Sequence, residues 1–285
     1  MRELGTKVFL LFFAMSSLIF LSGILITLVW QSIPFFNQVN PISFLTGTKW
    51  YPTQPKPDFG ILPLLIASLQ VTLGAMIFAI PLSLGSSIFL SELANSHLKD
   101  ILKPAIEILA EIPSVVYGFI GIVLIAPAMK SIFNLPTGLC ALNASLILGI
   151  MAYPTITSIA DDAISSVPNE IKEASYALGA NRWETVVRAV IPYAKSGVFS
   201  AIILGFARAI GETMTVLMVA GGAAAITMSY LKPVRPMTAT IAAEMGEASS
   251  GSLHYLALFS IALVLFVITL GFNIIAERLR GRKKI

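Results

Sequence analysis

Arg208 and Glu212 are the residues whose types and spacing most plainly suggest chemistry, because both interrupt an otherwise apolar run. They stand four apart in Arg208-Ala209-Ile210-Gly211-Glu212-Thr213-Met214, so an unbroken helix would carry them on one face. Placing either charge at the centre of a bilayer costs roughly 2.5–3.5 kcal/mol, so neither is expected to face lipid uncompensated. Two readings fit. The pair is an ion bridge that joins helices, or Arg208 offers its planar fork to a tetrahedral oxyanion while Glu212 holds it ready, with Thr213 alongside. Glu107 and Glu111 repeat the spacing. Glu107 follows Pro104 in what reads as a first helical turn, where the helix dipole favours an anion. Glu111 adjoins Pro113-Ser114 and, with Ser114 and Tyr117 of the same run, is a candidate to line a path. The lone Cys140 lies in an apolar run and reads as a small hydrophobe, so neither disulfide nor metal framework is expected. His97 and His254 have no partner at ligand spacing. No catalytic constellation emerges, and the chain is not expected to be an enzyme.

A second feature is polar. Pro168-Asn169-Glu170 suits a helix start, the helix continues to Leu178, and Gly179 can take the left-handed conformation that ends it. A short helix from Asn181 to Ile191, closed by Pro192, is expected next. Ala174, Ser175 and Ala177 are small enough for another backbone to approach, while Tyr176 and Leu178 can fill a groove. The segment either docks on a partner protein or lies on the membrane surface.

The elements that position these residues are apolar runs. The 285-residue chain is 56% hydrophobic and 12% charged, whereas soluble domains run near 45–50% and about 25%. Runs near 8–30, 62–91, 104–132, 139–160, 196–226 and 254–276 are each long enough to cross a bilayer. Backbone groups in lipid need internal partners, so the fold class is all-α, integral membrane, with about six transmembrane helices. The second and third, which are long and carry Pro81 and Pro113, are expected to tilt or kink. The first run exceeds a signal-peptide core and reads as a retained helix closed by Trp30. Most of the 19 basic residues, among them Arg2, Lys7, Lys99, Lys103, Lys172, Arg182, Arg188, Lys195, Arg278, Arg280, Arg282, Lys283 and Lys284, share the side of the termini. That asymmetry places both termini in the cytoplasm. Pro52–Pro57 then lies outside, and the segment 161–195 inside. The net charge of +4 reports topology and anionic lipid contact, not nucleic acid.

Glu173-Ala174-Ser175, Gly179 and Ile191-Pro192 resemble the EAA loop of binding-protein-dependent, MetI-like ABC importer permeases. Ser175 replaces the usual second Ala, and Ala189 stands where Ile is common. Longer runs resemble the PstC-type permeases of bacterial phosphate ABC importers: Trp50-Tyr51-Pro52, Phe59 to Pro63, Glu111 to Phe119, Ala174 to Thr185, Arg208 to Met214 and Met237 to Tyr255. The resemblance implies a type I ABC importer permease fold. It implies residues 1–60 as an N-terminal membrane helix and periplasmic loop, and 61–285 as a five-helix core with a coupling loop near 161–195. Glu173, Ala174, Ser175 and Gly179 would couple to the ATPase. Implied partners are a PstA-type permease in a heterodimer, two PstB-type ATPases and an extracytoplasmic PstS-type phosphate-binding protein. Location would be the bacterial cytoplasmic (inner) membrane. ATP and Mg would act at the ATPases, and no cofactor is expected on this chain, which lacks a Gly-x4-Gly-Lys-Ser/Thr P-loop. Sulfate or molybdate is the chemical alternative to phosphate. An ion-coupled secondary transporter, or a phosphate-signalling scaffold, is the alternative class.

Overall fold

The computed structural model describes residues 2–281, most of them helical. Helix α1 (Arg2–Phe36) leads to a short α2 (Pro41–Thr46) and a hairpin of β1 (Trp50–Tyr51) and β2 (Asp58–Phe59). Then come α3 (Leu62–Ile88), α4 (Ser96–Glu111), α5 (Ser114–Ile120), α6 (Ala126–Phe133) and α7 (Ala141–Ser165). The polar segment holds α8 (Asn169–Ala177) and α9 (Arg182–Thr185), followed by α10 (Ile191–Ile210), α11 (Met214–Val219), α12 (Met237–Glu244) and α13 (Leu253–Gly281). Single π-helical turns at Phe89–Leu93, Gly121–Ile125 and Val186–Val190 extend α3, join α5 to α6, and join α9 to α10. Among the described residues, six stretches are long and apolar enough to cross a membrane: Phe9–Phe36, Leu62–Leu93, Ser114–Phe133, Ala141–Ser165, Arg182–Ile210 and Leu253–Arg278. Arg282, Lys283 and Lys284, part of the charge asymmetry above, lie outside the described residues.

The central contact is α3 against α7. Lipid supplies no hydrophobic drive between helices, so close approach rests on small side chains. Ala67, Val71, Ala75 and Ala79 of α3 meet Ala141, Ala144, Leu148 and Ala152 of α7 in one buried cluster. A Cβ on Gly74 would fall 2.4 Å from Ser145 Oγ, and that hydroxyl bonds the carbonyls of Ala141 and Val71. Helix α10 continues the layer across α7, where Gly205 receives Ile156. Helix α13 packs on α10 through Phe206 and Phe272, and α1 lies along α13. A second cluster at the opposite end of α13 from its basic tail gathers Phe35, Phe44, Trp50, Phe59, Leu64, Met237 and Leu258. It fastens the hairpin to the core.

Three expected elements differ from what forms. The third span does not run from 104 to 132: it breaks at Ile112–Pro113. Pro113 has no N–H for Leu109 and its ring opposes that carbonyl, while Ile112, preceding a proline, turns extended at ψ 128°. Pro81, by contrast, stays within α3. The fifth span begins earlier than 196 and stops at Ile210, so it does not reach 226. The helix from Asn181 does not end at Pro192, because proline is tolerated in a first turn and the π-turn carries the chain directly into α10.

Candidate translocation site and coupling loop

Two helix interruptions face each other, Ile112–Pro113 between α4 and α5 and Gly211–Thr213 between α10 and α11. Both lie level with the middle of α7. Thr215 hydroxyl donates to the Ser114 carbonyl at 2.8 Å and sits 3.2 Å from Met151 Sδ. Met151 is ten residues along α7 from the charged layer at Asp161, roughly 15 Å. In that layer Lys103 contacts Asp161 and Asp162, each at 2.9 Å, and Lys99 reaches Asp161 at 3.5 Å. Hydrogen bonds to Asp162 and then Asp161 hold the Lys103 ammonium above the usual lysine range. Irregular backbone at membrane depth is found where protein covers it or where it borders a polar cavity.

The interruptions expose carbonyls that side chains then take up. Leu109 C=O, orphaned by Pro113, accepts the Tyr117 hydroxyl at 2.8 Å. The next carbonyl, Ala110, accepts Arg208 Nη2 at 3.3 Å. Glu212 is not paired with Arg208. Its carboxylate accepts the Thr215 N–H at 3.4 Å, and its carbonyl accepts the Thr238 hydroxyl at 2.7 Å. The expected i,i+4 pairing fails because Gly211 to Thr213 are not helical, so the two side chains leave different elements. The structural ion bridge and the Glu212-held fork are both corrected by this geometry. Arg208 uses one donor on a backbone carbonyl and otherwise stands exposed, with Glu111 and Gly211 also exposed beside the two breaks. Thr213 and Ser114 are half-buried there. Tyr117 is a correction to the expected lining: it is 5% exposed, and its hydroxyl is spent on Leu109.

The loop expected to dock forms as a capped helix. Gly179 has φ +85°, its N–H bonds Tyr176 O at 2.9 Å, and the Ala180 N–H bonds Ser175 O at 3.2 Å. Those two bonds complete a Schellman cap. Asn181 and Glu184 then open α9 with a reciprocal capping box. Glu173, Ala174, Tyr176 and Gly179 point outward, and Leu178 is 89% exposed. Lys172 and Ser175 face inward: Lys172 pairs with Glu92 at 2.6 Å and Ser175 shares a 3.0 Å hydroxyl bond with Thr185.

The family model described as "binding-protein-dependent transport system inner membrane component" matches residues 79–285. The chain belongs to this family. It spans both interruptions and the coupling loop, so the breaks described above are features of a transport permease. The chain is 39% identical over 249 residues to a probable ABC transporter permease protein, YqgH, of Bacillus subtilis, covering 87% of this chain and 81% of that one. It is 37% identical over 280 residues to the phosphate transport system permease protein PstC of Haemophilus influenzae, covering 90% and 86%. Among solved structures, a bacterial alginate ABC transporter chain superposes with a TM-score of 0.67 at 14% identity, covering 99% of this chain and 95% of that one. A chain of the inward-facing MetNI methionine transporter gives 0.59 at 19% identity, covering 76% and 94%. The fold is that of a type I ABC importer permease, and this permease is a multi-pass inner-membrane protein.

Several working residues escaped sequence reasoning. Thr215 stands just past one quoted run and Thr238 inside another, but neither carries a charge to mark it. Glu92 looks like any carboxylate at a helix end. His254, read as partnerless, bonds Glu244 at 2.8 Å; Glu244 also takes Arg235 at 2.6 Å and the Trp50 indole N–H at 3.0 Å. Their separations in sequence gave no spacing signal.

Proposed function

We propose that this permease is a subunit of an ATP-driven inorganic phosphate importer, pairing with a PstA-type permease above two PstB-type ATPases and beneath a PstS-type binding protein. The observation that carries the reading is Arg208. A guanidinium at mid-membrane, exposed on the isolated subunit with donors to spare, needs a polar surface opposite it. A partner permease would supply that surface and enclose a cavity between the two. There a forked cation meets a tetrahedral oxyanion bidentately, and relatives named as phosphate transport permeases fit that cargo. Both termini lie in the cytoplasm in this reading, which puts the exposed face of α8 where Glu173, Ala174, Tyr176 and Gly179 meet an ATPase. ATP and Mg are handled by that ATPase; this chain binds no cofactor.

The cycle follows from the elements. The binding protein releases phosphate between the permeases, where Arg208 receives it near Glu111, Ser114, Glu212 and Thr213. Closure of the ATPases moves α8, and the breaks at 112–113 and 211–213 let the half-helices shift against each other without unwinding intact helix. The test is uptake of labelled phosphate into vesicles holding the full complex, with sulfate as competitor. ATP-dependent phosphate uptake resistant to excess sulfate is expected. Uptake of sulfate instead, or uptake driven by an ion gradient without ATP, would overturn the assignment.

A further inference from the structure

Glu92 is buried, 9% exposed, at the cytoplasmic end of α3 inside the π-turn Phe89–Leu93. It takes bonds from both sides of the coupling helix: Lys172 Nζ, within α8, reaches its carboxylate at 2.6 Å, and Arg182, just beyond α8, donates to its backbone carbonyl. π-turns are rare and recur at functional sites, because the widened turn frees carbonyls for other donors. From Glu92, α3 runs unbroken back to Ser68, whose hydroxyl accepts the Met237 N–H at 2.9 Å. The neighbouring Thr238 holds the Glu212 carbonyl. A contiguous series of packed elements therefore joins the inner face of α8 to the segment carrying Glu212.

We propose that Glu92 is a positioning residue for transport, the point at which movement of the coupling helix is handed to the second membrane helix. The proposal rests on the reading of α8 as the ATPase-docking helix. Arg208 is reached separately, since Arg182–Ile210 is one continuous helical stretch; the two routes meet at the 211–213 interruption, one at Glu212 and one at Arg208, whose guanidinium bonds Ala110 O beside the other break. A carboxylate buried against a lysine with little exposure of its own resists slipping, where a solvated surface pair would not. Its geometry suits the transfer of displacement.

The test uses the complete complex in liposomes, with Glu92→Gln, Lys172→Gln and the double variant. Three quantities are read: yield and melting temperature of the complex, ATP hydrolysis, and oxyanion taken up per ATP. The oxyanion is phosphate, or sulfate where the wild type takes up sulfate instead. The expected result is hydrolysis close to wild type with uptake per ATP lowered by about tenfold in each single variant, within the span of ordinary coupling effects. The double variant should fall no further, because both changes cut one link. Uptake per ATP that stays at the wild-type value in Glu92→Gln, or losses that multiply in the double variant, would overturn the proposal. A fall in melting temperature alone, with the ratio unchanged, marks a merely structural pair and overturns it too. If a single variant fails to assemble, the double variant, which leaves no unpaired charge, is decisive: a lowered ratio supports the link and a wild-type ratio removes it. A wild-type complex that retains no ATPase would overturn the docking reading and this proposal together.

Discussion

Gly179 offers a graded perturbation of the coupling helix. Its φ of +85° lies where side chains are disfavoured, yet a Cβ added there would meet nothing within 4 Å. Gly179→Ala is therefore a purely conformational change, costing about 1–2 kcal/mol for a single left-handed residue. That cost lowers the capped population relative to frayed forms by about 5- to 30-fold. Gly179→Asn should lose less, because asparagine visits this conformation more readily. Gly179→Pro should lose most: the ring fixes a negative φ and deletes the N–H that bonds Tyr176 O at 2.9 Å. The assay is substrate-stimulated ATP hydrolysis by the reconstituted complex, with membrane insertion as the control. Stimulation should fall in the order Gly, Asn, Ala, Pro while insertion is constant. A proline variant that hydrolyses ATP like the wild type, or an alanine variant no worse than asparagine, would refute the assignment of this cap to coupling.

Tyr117→Phe removes the part-buried hydrogen bond to the Leu109 carbonyl, so the complex should lose about 0.5–1.5 kcal/mol of stability; calorimetry should record it with phosphate selectivity unchanged. Arg208→Lys keeps the charge but not the fork and should depress phosphate uptake by about tenfold or more, the scale of a lost charge-assisted bond; uptake equal to wild type removes Arg208 from the site. Thr53→Cys, at the exposed hairpin tip, should react with an impermeant thiol reagent from the periplasmic side; labelling only from the cytoplasm reverses the topology.

The membrane class, the helix number and the cap at Gly179 were legible because each follows from local rules: apolar length, a positive-φ glycine, a capping residue. Arg208 stood out as a charge in an apolar run, and the capped polar segment as a docking or membrane-surface element; the resemblance narrowed the second to an ATPase contact. What local rules missed is tertiary. Nothing in Gly211-Glu212-Thr213 forbids a helix, and the contacts at its break, Thr238 to the Glu212 carbonyl and Thr215 to Ser114, come from residues distant in sequence or outside the run. The inward side of α8 was equally hidden. Ser175 reads in sequence as a harmless swap for alanine, yet it bonds Thr185, and Lys172 becomes meaningful only once Glu92, 80 residues away, is placed beside it.

The two interruptions also explain why Arg208 and Glu212 stand apart. Four residues apart on an intact helix, they would neutralise each other and leave little field for an anion. With the helix ended at Ile210 and Glu212 inside the break at Gly211–Thr213, each is held by backbone instead, Arg208 at Ala110 O and Glu212 at the Thr215 N–H. A weak single bond at 3.3 Å keeps the guanidinium oriented while its other donors stay available. An arriving oxyanion would compete with one neutral carbonyl, not with a carboxylate, and the free-energy cost of engaging Arg208 is lower for it. The broken helix thus keeps Arg208 unneutralised, and Glu212, held by the Thr215 N–H, borders the proposed anion position without pairing with the guanidinium.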